Sequence, residues 1–236
     1  MRLDEVGVII PAAGSGTRMG TSLNKQFLML KGVPVLVHTA RIFQSSEFVR
    51  EIVIVGAREE IPMIRELVAR YKLSKVQDIA PGGATRQESV TSGLNALHSD
   101  AKRVVVHDGA RPLLPLALLH RFLGAAEGTV AALMAVEPKD TITRIDANGW
   151  VVETPAREEL RAVQTPQVFD LLILREAHRR AAVEGFAGTD DASLVEWLGY
   201  PVKVLEGSPE NIKLTTPEDL LLAEQILAGR DGDINF

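Results

Sequence analysis

The chain has no cysteine among its 236 residues, which excludes disulfides, zinc–thiolate centres and a thiol nucleophile. It has no apolar run near the ~20 residues that span a bilayer. The short run Val6 to Ile10 has acidic neighbours and does not fit a signal peptide, so no membrane is expected and a cytoplasmic location follows. A basic excess is missing too: the net charge is −5, with both signs interspersed, which argues against nucleic acid as the main partner. The five histidines match neither metal-hydrolase nor deaminase spacing, and no G-x-S-x-G elbow is present.

What is present is a 46% hydrophobic composition, enough to bury a core in a single domain over residues 1–236. Short β-rich runs begin at Val6, Glu51, Lys75, Arg103, Thr129 and Pro201. Between or after them, segments 34–45, 59–71, 85–98, 116–127, 170–184 and 217–228 carry helical apolar spacing. The alternation predicts an α/β fold with a mainly parallel sheet and helices on both faces. It breaks between Glu137 and Pro166, where alternating residues flank Asn148-Gly149, a hairpin signal. The arm, about 138–162, has Ile142, Ile145, Trp150 and Val151 as its apolar members, too few for a core, so it is expected to pack on a second subunit.

"VIIPAAGSGTRMG", Val8 to Gly20, is a strand running into a glycine turn, a place where backbone N–H groups meet phosphate. A dinucleotide fingerprint needs a third glycine where Met19 stands, and Gly20 comes one residue late. No G-K-[ST] follows, so a Walker A loop does not fit either. Arg18 and Lys25 do follow, two cations suited to a triphosphate attacked at its α-phosphorus, although solvated side chains explain them equally well in isolation.

Ligands of parallel sheets sit outside the carboxyl ends of the strands, so the loops after each strand belong together. "PGGATRQES" offers Gly82 and Gly83 for close backbone approach and Ser89 for a base or ribose, or simply starts a helix. "VHDGARP" puts Asp108 and Arg111 at a strand end, where the carboxylate could hold Mg²⁺ on phosphates, contact a ribose or cap a turn. Lys213 precedes the last helix and could pair with a second phosphate or with solvent.

The ordered set "PAAGSGTRMG…NKQF…GG…RQESV…VHDGARP…KDT…QTPQVF…TDDAS…NIKLTTPEDL" closely resembles the 2-C-methyl-D-erythritol 4-phosphate cytidylyltransferases, from Val8 to about Leu227. The resemblance implies a Rossmann-like nucleotidyltransferase domain with a protruding hairpin arm, acting as a homodimer. It further implies transfer of the cytidylyl group from CTP to methylerythritol phosphate, with Mg²⁺. Carried over by position, Arg18 and Lys25 would stabilise charge on the α-phosphate and pyrophosphate. Pro11, Ala12, Ala13, Gly14, Ser15, Gly16, Gly83, Ala84, Ser89, Asp108, Gly109 and Ala110 would bind the nucleotide, with Asp108 near ribose or metal. Arg111, Thr141, Arg157, Thr165, Thr189 and Lys213 would meet the acceptor, Arg157 and Lys213 placing its phosphate in line. Thr141 and Arg157 flank the hairpin and would serve the neighbouring subunit's pocket.

Two positions depart from the pattern: Asn24 replaces a frequent proline before the lysine, and Arg161 an expected aromatic residue. The first implies a looser approach of Lys25. The competing readings are a cytidylyltransferase for another polyol phosphate, such as ribitol 5-phosphate, and a nucleotide-binding protein without turnover.

Overall fold

The computed structural model describes residues 6–14, 24–98 and 100–232. Strand β1 (Val6–Pro11) is followed by the two-residue strands β2 (Met29–Leu30) and β3 (Val33–Pro34) and helix α1 (Val35–Ser45). Then come β4 (Val49–Gly56), α2 (Ile61–Arg70), β5 (Val76–Pro81), α3 (Arg86–Asn95), β6 (Arg103–Val106), α4 (Leu116–Ala125) and β7 (Ala131–Val136). The arm holds β8 (Arg144–Ile145) and β9 (Val151–Glu153); β10 (Ala162–Asp170), α5 (Leu171–Glu184), α6 (Asp191–Trp197), β11 (Val202–Glu206) and α7 (Pro217–Gly232) complete the order.

Seven strands form one sheet in the order β11-β7-β10-β6-β1-β4-β5. β10 runs antiparallel to both neighbours, and the other pairings are parallel. The chain winds outward from β1 through β4 to β5, then crosses back to place β6 on the opposite side of β1. The crevice between β1 and β6 is therefore a topological switch point, where open α/β sheets bind ligands.

The strands are apolar on both faces because helices cover both. Val8, Ile10, Ile52, Ile54 and Val105 enter one core cluster with Phe43, Leu119 and Phe122 from α1 and α4. Their sequence neighbours Ile9, Val53, Val55, Val104 and Val106 enter the other with Leu94, Leu174 and Leu194 from α3, α5 and α6. Alternation with period two thus divides single strands between two cores.

Each expected strand and helix lies within a few residues of its predicted place. The structure adds three features. The small β2–β3 pair precedes α1, α6 begins at a capping box of Asp190 and Ser193, and β10 starts where the arm was expected to end. β10 is antiparallel because it returns from β7 through the arm rather than through a helical crossover. Its polar centre, Gln164 to Gln167, disguises it in the sequence, and the register with β7 shifts there around Pro166, as a proline inside a sheet requires.

The arm is a hairpin turning over Asp146 to Trp150. The Asp146 carboxylate accepts the backbone N–H of Asn148 and of Trp150, both at 2.9 Å, and Gly149 adopts φ +86°. Trp150 is 75% exposed and Val151 68%.

Candidate active site

A cleft of about 440 Å³ opens at the carboxyl ends of β1, β5 and β6. Pro11 to Gly14 form one wall, Gly83 to Arg86 with Ser89 a second, and Asp108 to Ala110 a third; Lys25, Gln26 and Lys213 reach in from the remaining sides. The topology thus brings together the loops that the sequence placed after separate strands. Ser15, Gly16 and Arg18 lie outside the described residues.

The second wall depends on its glycines. A Cβ on Gly82 would stand 2.3 Å from the Cβ of Ala13, and one on Gly83 would stand 2.3 Å from the Cβ of Glu88, separations no side chain accommodates. Thr85 caps α3 by accepting the Glu88 N–H at 3.1 Å, and the Glu88 carboxylate accepts the Ala84 N–H at 2.7 Å. The Ser89 hydroxyl donates to the Thr85 carbonyl at 2.9 Å and accepts the Gly83 N–H at 3.2 Å. Ser89 therefore shapes the glycine loop at the same time as it faces the cleft.

The third wall is fixed by a directional chain of hydrogen bonds. His107 is fully buried, and desolvation pushes its pKa down to about 4 against weaker opposing contacts, so it is neutral at pH 7. Its Nε2 lies 3.0 Å from the Arg111 carbonyl, which can only accept, so that nitrogen carries the proton. Nδ1 then accepts from the Thr165 hydroxyl at 3.2 Å, and the same hydroxyl accepts the Asp108 N–H at 3.0 Å. Thr165, expected to contact the acceptor, is 95% buried in this chain of bonds.

Asp108 is surrounded by cations. Lys213 Nζ lies 2.8 Å from Oδ2, Arg111 Nε 3.8 Å from Oδ2 and Arg86 Nε 3.3 Å from Oδ1. Burial alone would raise the Asp108 pKa, but Arg86, Lys213 and Arg111 together hold it well below the usual carboxylate range. The Lys213 segment is tied to this wall through its backbone, with Leu214 N–H donating to the Ala110 carbonyl at 2.8 Å. Arg111 is turned partly away, donating to the Asn211 carbonyl at 2.7 Å.

Lys25 stands in a 3₁₀ turn, Lys25–Phe27, whose flanking residues are both anchored. The Asn24 amide donates to the Glu60 carboxylate. The buried Gln26 amide donates to the Ala12 carbonyl and lies 3.5 Å from the other Glu60 oxygen. Asn24 has φ −61°, the angle a proline ring would impose. The looser approach expected from losing that proline is therefore not what the structure shows: a side-chain hydrogen bond anchors the same backbone conformation.

The remaining expected residues lie off this cleft. Thr189 is exposed one residue before the α6 cap. Thr141 and Arg157 are exposed at the base of the arm, where Arg157 Nη2 lies 3.5 Å from the Thr141 hydroxyl. The arm thus pairs the two but holds them outside the cleft wall. Arg161 turns back on its own segment, donating to the Glu158 and Leu160 carbonyls at 2.9 and 2.6 Å.

Sequence reasoning missed Gln26, Arg86, Asp191 and Glu60. Arg86 carried a signal: a cation at the first residue of a helix opposes the macrodipole, which argues for a specific anionic partner. The structure supplies two, Asp108 and, at 2.7 Å, Asp191.

A cation-lined cleft at the switch point of a mainly parallel sheet, with glycine-shaped backbone on its walls, defines an α/β nucleotide-binding protein. The family model of the 2-C-methyl-D-erythritol 4-phosphate cytidylyltransferases (IspD) matches residues 6–229, and the chain belongs to that family. It is 51% identical over 227 residues to 2-C-methyl-D-erythritol 4-phosphate cytidylyltransferase of Halalkalibacterium halodurans, covering 96% of this chain and 99% of that one. The counterpart in Symbiobacterium thermophilum is 52% identical over 222 residues, with 94% and 92% covered. Among solved structures, 4-diphosphocytidyl-2C-methyl-D-erythritol synthase from Anaerococcus prevotii superposes with a TM-score of 0.85 at 30% identity, covering 95% of this chain and 96% of that one. The Thermus thermophilus cytidylyltransferase gives 0.77 at 34%, covering 95% and 99%.

Proposed function

We propose that the cleft transfers the cytidylyl group of CTP to the phosphate of 2-C-methyl-D-erythritol 4-phosphate, in isoprenoid precursor biosynthesis. The observation that carries the reading is the approach of Lys25 and Lys213 to one glycine-walled cleft, within a chain of this family. An oxygen of the acceptor phosphate attacks the α-phosphorus of CTP; the bond from that phosphorus to the bridging oxygen breaks, and pyrophosphate leaves with the electron pair. The attacking phosphate is already anionic at neutral pH, so no general base is required. Positioning and charge stabilisation carry the step.

In this reading the walls formed by Pro11 to Gly14, Gly83 to Ser89 and Asp108 to Ala110 hold the nucleotide by backbone groups. Lys25, with Arg18, neutralises charge growing on the α-phosphate and leaving group. Lys213 exchanges Asp108 for the acceptor phosphate, with Arg111 and Thr165 setting the loop beneath it. Thr189 serves the acceptor from the α6 side.

Mg²⁺ fits the donor set as an ion carried by the nucleotide. Among the described residues no group of three or more histidines or carboxylates gathers, and Asp108 is the single carboxylate on the cleft wall. Such an ion is commonly held by one or two carboxylates together with substrate phosphates. Asp108 would hold it in exchange for one of its cationic partners; what the ion supplies when bound is neutralisation of phosphate charge.

The exposed arm supports a homodimer in which Thr141 and Arg157 reach the neighbouring subunit's acceptor site. Ile145, Trp150 and Val151, at 60%, 75% and 68% exposure, supply the apolar contact. The test of the reaction is pyrophosphate release from CTP and Mg²⁺ with methylerythritol phosphate or ribitol 5-phosphate as acceptor. A higher kcat/KM for methylerythritol phosphate is expected; no release, or preference for ribitol phosphate, overturns the assignment.

A further inference from the structure

From the cleft wall inward runs a charge network in which Arg86 and Asp191 have no part in the roles above. Arg86, at the first residue of α3, inserts its guanidinium between two carboxylates from distant parts of the chain: Nε lies 3.3 Å from Asp108 Oδ1 and Nη1 2.7 Å from Asp191 Oδ2. Asp191, the first residue of α6, is 1% exposed and also contacts His178 Nε2 at 3.1 Å. His178 Nδ1 in turn meets the Thr91 hydroxyl at 2.9 Å, so α3, α5 and α6 all brace the same guanidinium. Burial alone would lower the Arg86 pKa, but Asp191 and Asp108 outweigh it and hold it above its ordinary value.

We propose that Arg86 is a positioning residue that acts through Asp108 to set how firmly Lys213 is held in the cleft. Asp108 shares one negative charge between Arg86 on Oδ1 and Lys213 on Oδ2. The part drawn toward Arg86 is not available to Lys213, so Arg86 weakens the Asp108–Lys213 pair and leaves the ammonium free to exchange onto an incoming phosphate. Asp191 keeps Arg86 in place, because a guanidinium gripped on two edges has a fixed direction where an ammonium would not. The Leu214–Ala110 backbone bond keeps the partners at a constant separation, so the strength of the pair is set by charge sharing rather than by loop movement. The link from Lys213 to acceptor use rests on the reaction proposed above; the link from Arg86 to Lys213 does not.

Removing Arg86 alone would leave Asp191 as a buried, poorly compensated charge and could cost the fold. The variant of choice is therefore Arg86→Met with Asp191→Asn, which removes one charge of each sign and leaves the net charge of the chain unchanged. The rate at which a water-soluble acetylating ester modifies Lys213, read by peptide mass spectrometry against the other lysines, reports how tightly the ammonium is held. Expected is acetylation slower by about threefold at Lys213 alone, with the KM for methylerythritol phosphate rising about fivefold and the KM for CTP within about twofold of the parent. Arg86→Lys, which keeps the charge but not the two-edged grip, should fall between parent and double variant, and it carries the same test if the double variant does not fold. Unchanged labelling of Lys213, or equal changes at all lysines and in both KM values, overturns the proposal. If the parent enzyme releases no pyrophosphate, the proposed reaction fails, while the labelling still decides the role of Arg86.

Discussion

The arm and the cleft are built on opposite principles. The arm is a two-stranded ribbon held by near-neighbour bonds around Asp146, with its apolar side chains in solvent. The cleft is assembled from loops as far as a hundred and more residues apart, with its charges interlocked around the buried Asp108; Arg111 and Asn211 illustrate the span. An isolated ribbon of this kind is marginal, whereas the described walls of the cleft are cross-linked by bonds such as those joining Asp108 to Thr165 and to Lys213. The difference teaches where each region's order comes from: the arm draws on bonds within its own turn, and the cleft on the rest of the chain.

The sharpest way to break this contrast is at the cation that both neighbours hold in place. Lys25→Ala should lower kcat by ~10²–10³-fold with little change in melting temperature, since it removes a group proposed to meet developing charge; steady-state pyrophosphate release measures it, and a drop below tenfold would remove Lys25 from the step.

Next in size is the pH response of the interlocked wall. His107 has its folded pKa depressed to about 4 from 6.5. Its contribution is complete above pH 6.5 and is lost as pH falls toward 4, because the unfolded chain then takes up a proton that the buried ring refuses. This amounts to about 3 kcal/mol at most, read as a loss of stability in denaturant titrations from pH 7 to 4 that a His107→Gln variant should not share.

For the arm, Trp150→Asp should weaken the proposed dimer by about 2 kcal/mol, as expected for a central aromatic anchor. Sedimentation across a concentration series gives the number, and an unchanged dimer would show that the arm is not the contact. A smaller effect is expected from Glu60→Ala, which frees Asn24 while Gln26 keeps its bond to the Ala12 carbonyl: kcat should fall by about tenfold, with the CTP KM nearly constant. Smallest is Arg144→Ala, which breaks the exposed 3.0 Å pair with Glu153 across the ribbon and should cost under ~1 kcal/mol by double-mutant cycle.

The same contrast explains what could be read from the sequence. The arm was legible because its turn chemistry is local, and the strands and helices because their periodicity is. Cleft residues at strand ends, such as Asp108 and the glycines after β5, were legible because a parallel sheet dictates where such ends meet. Asp191, Gln26 and Glu60 were not, because each acquires its role from a partner distant in sequence, and Arg86 showed only as a cation out of place at a helix start. β10 was hidden by polar residues whose partners lie elsewhere: Gln167 is fully buried, yet its amide is satisfied by Asp190 and by the Ala192 N–H on α6. α6 was not read from the sequence, although Asp190 is of a residue type favoured at helix starts and does cap it by accepting the Ser193 N–H.

One detail of the sheet register bears on how the molecule could be taken apart. Val136, at the end of β7, pairs directly with Ala162, at the start of β10. The two ends of the arm therefore meet as antiparallel partners, close enough for a two-residue turn to join them. The arm is an insertion hung on an ordinary hairpin, removable without touching a strand of the main sheet. A chain shortened in this way would keep the walls formed by Pro11 to Gly14, Gly83 to Ser89 and Asp108 to Ala110, and separate the work of the cleft from that of the arm.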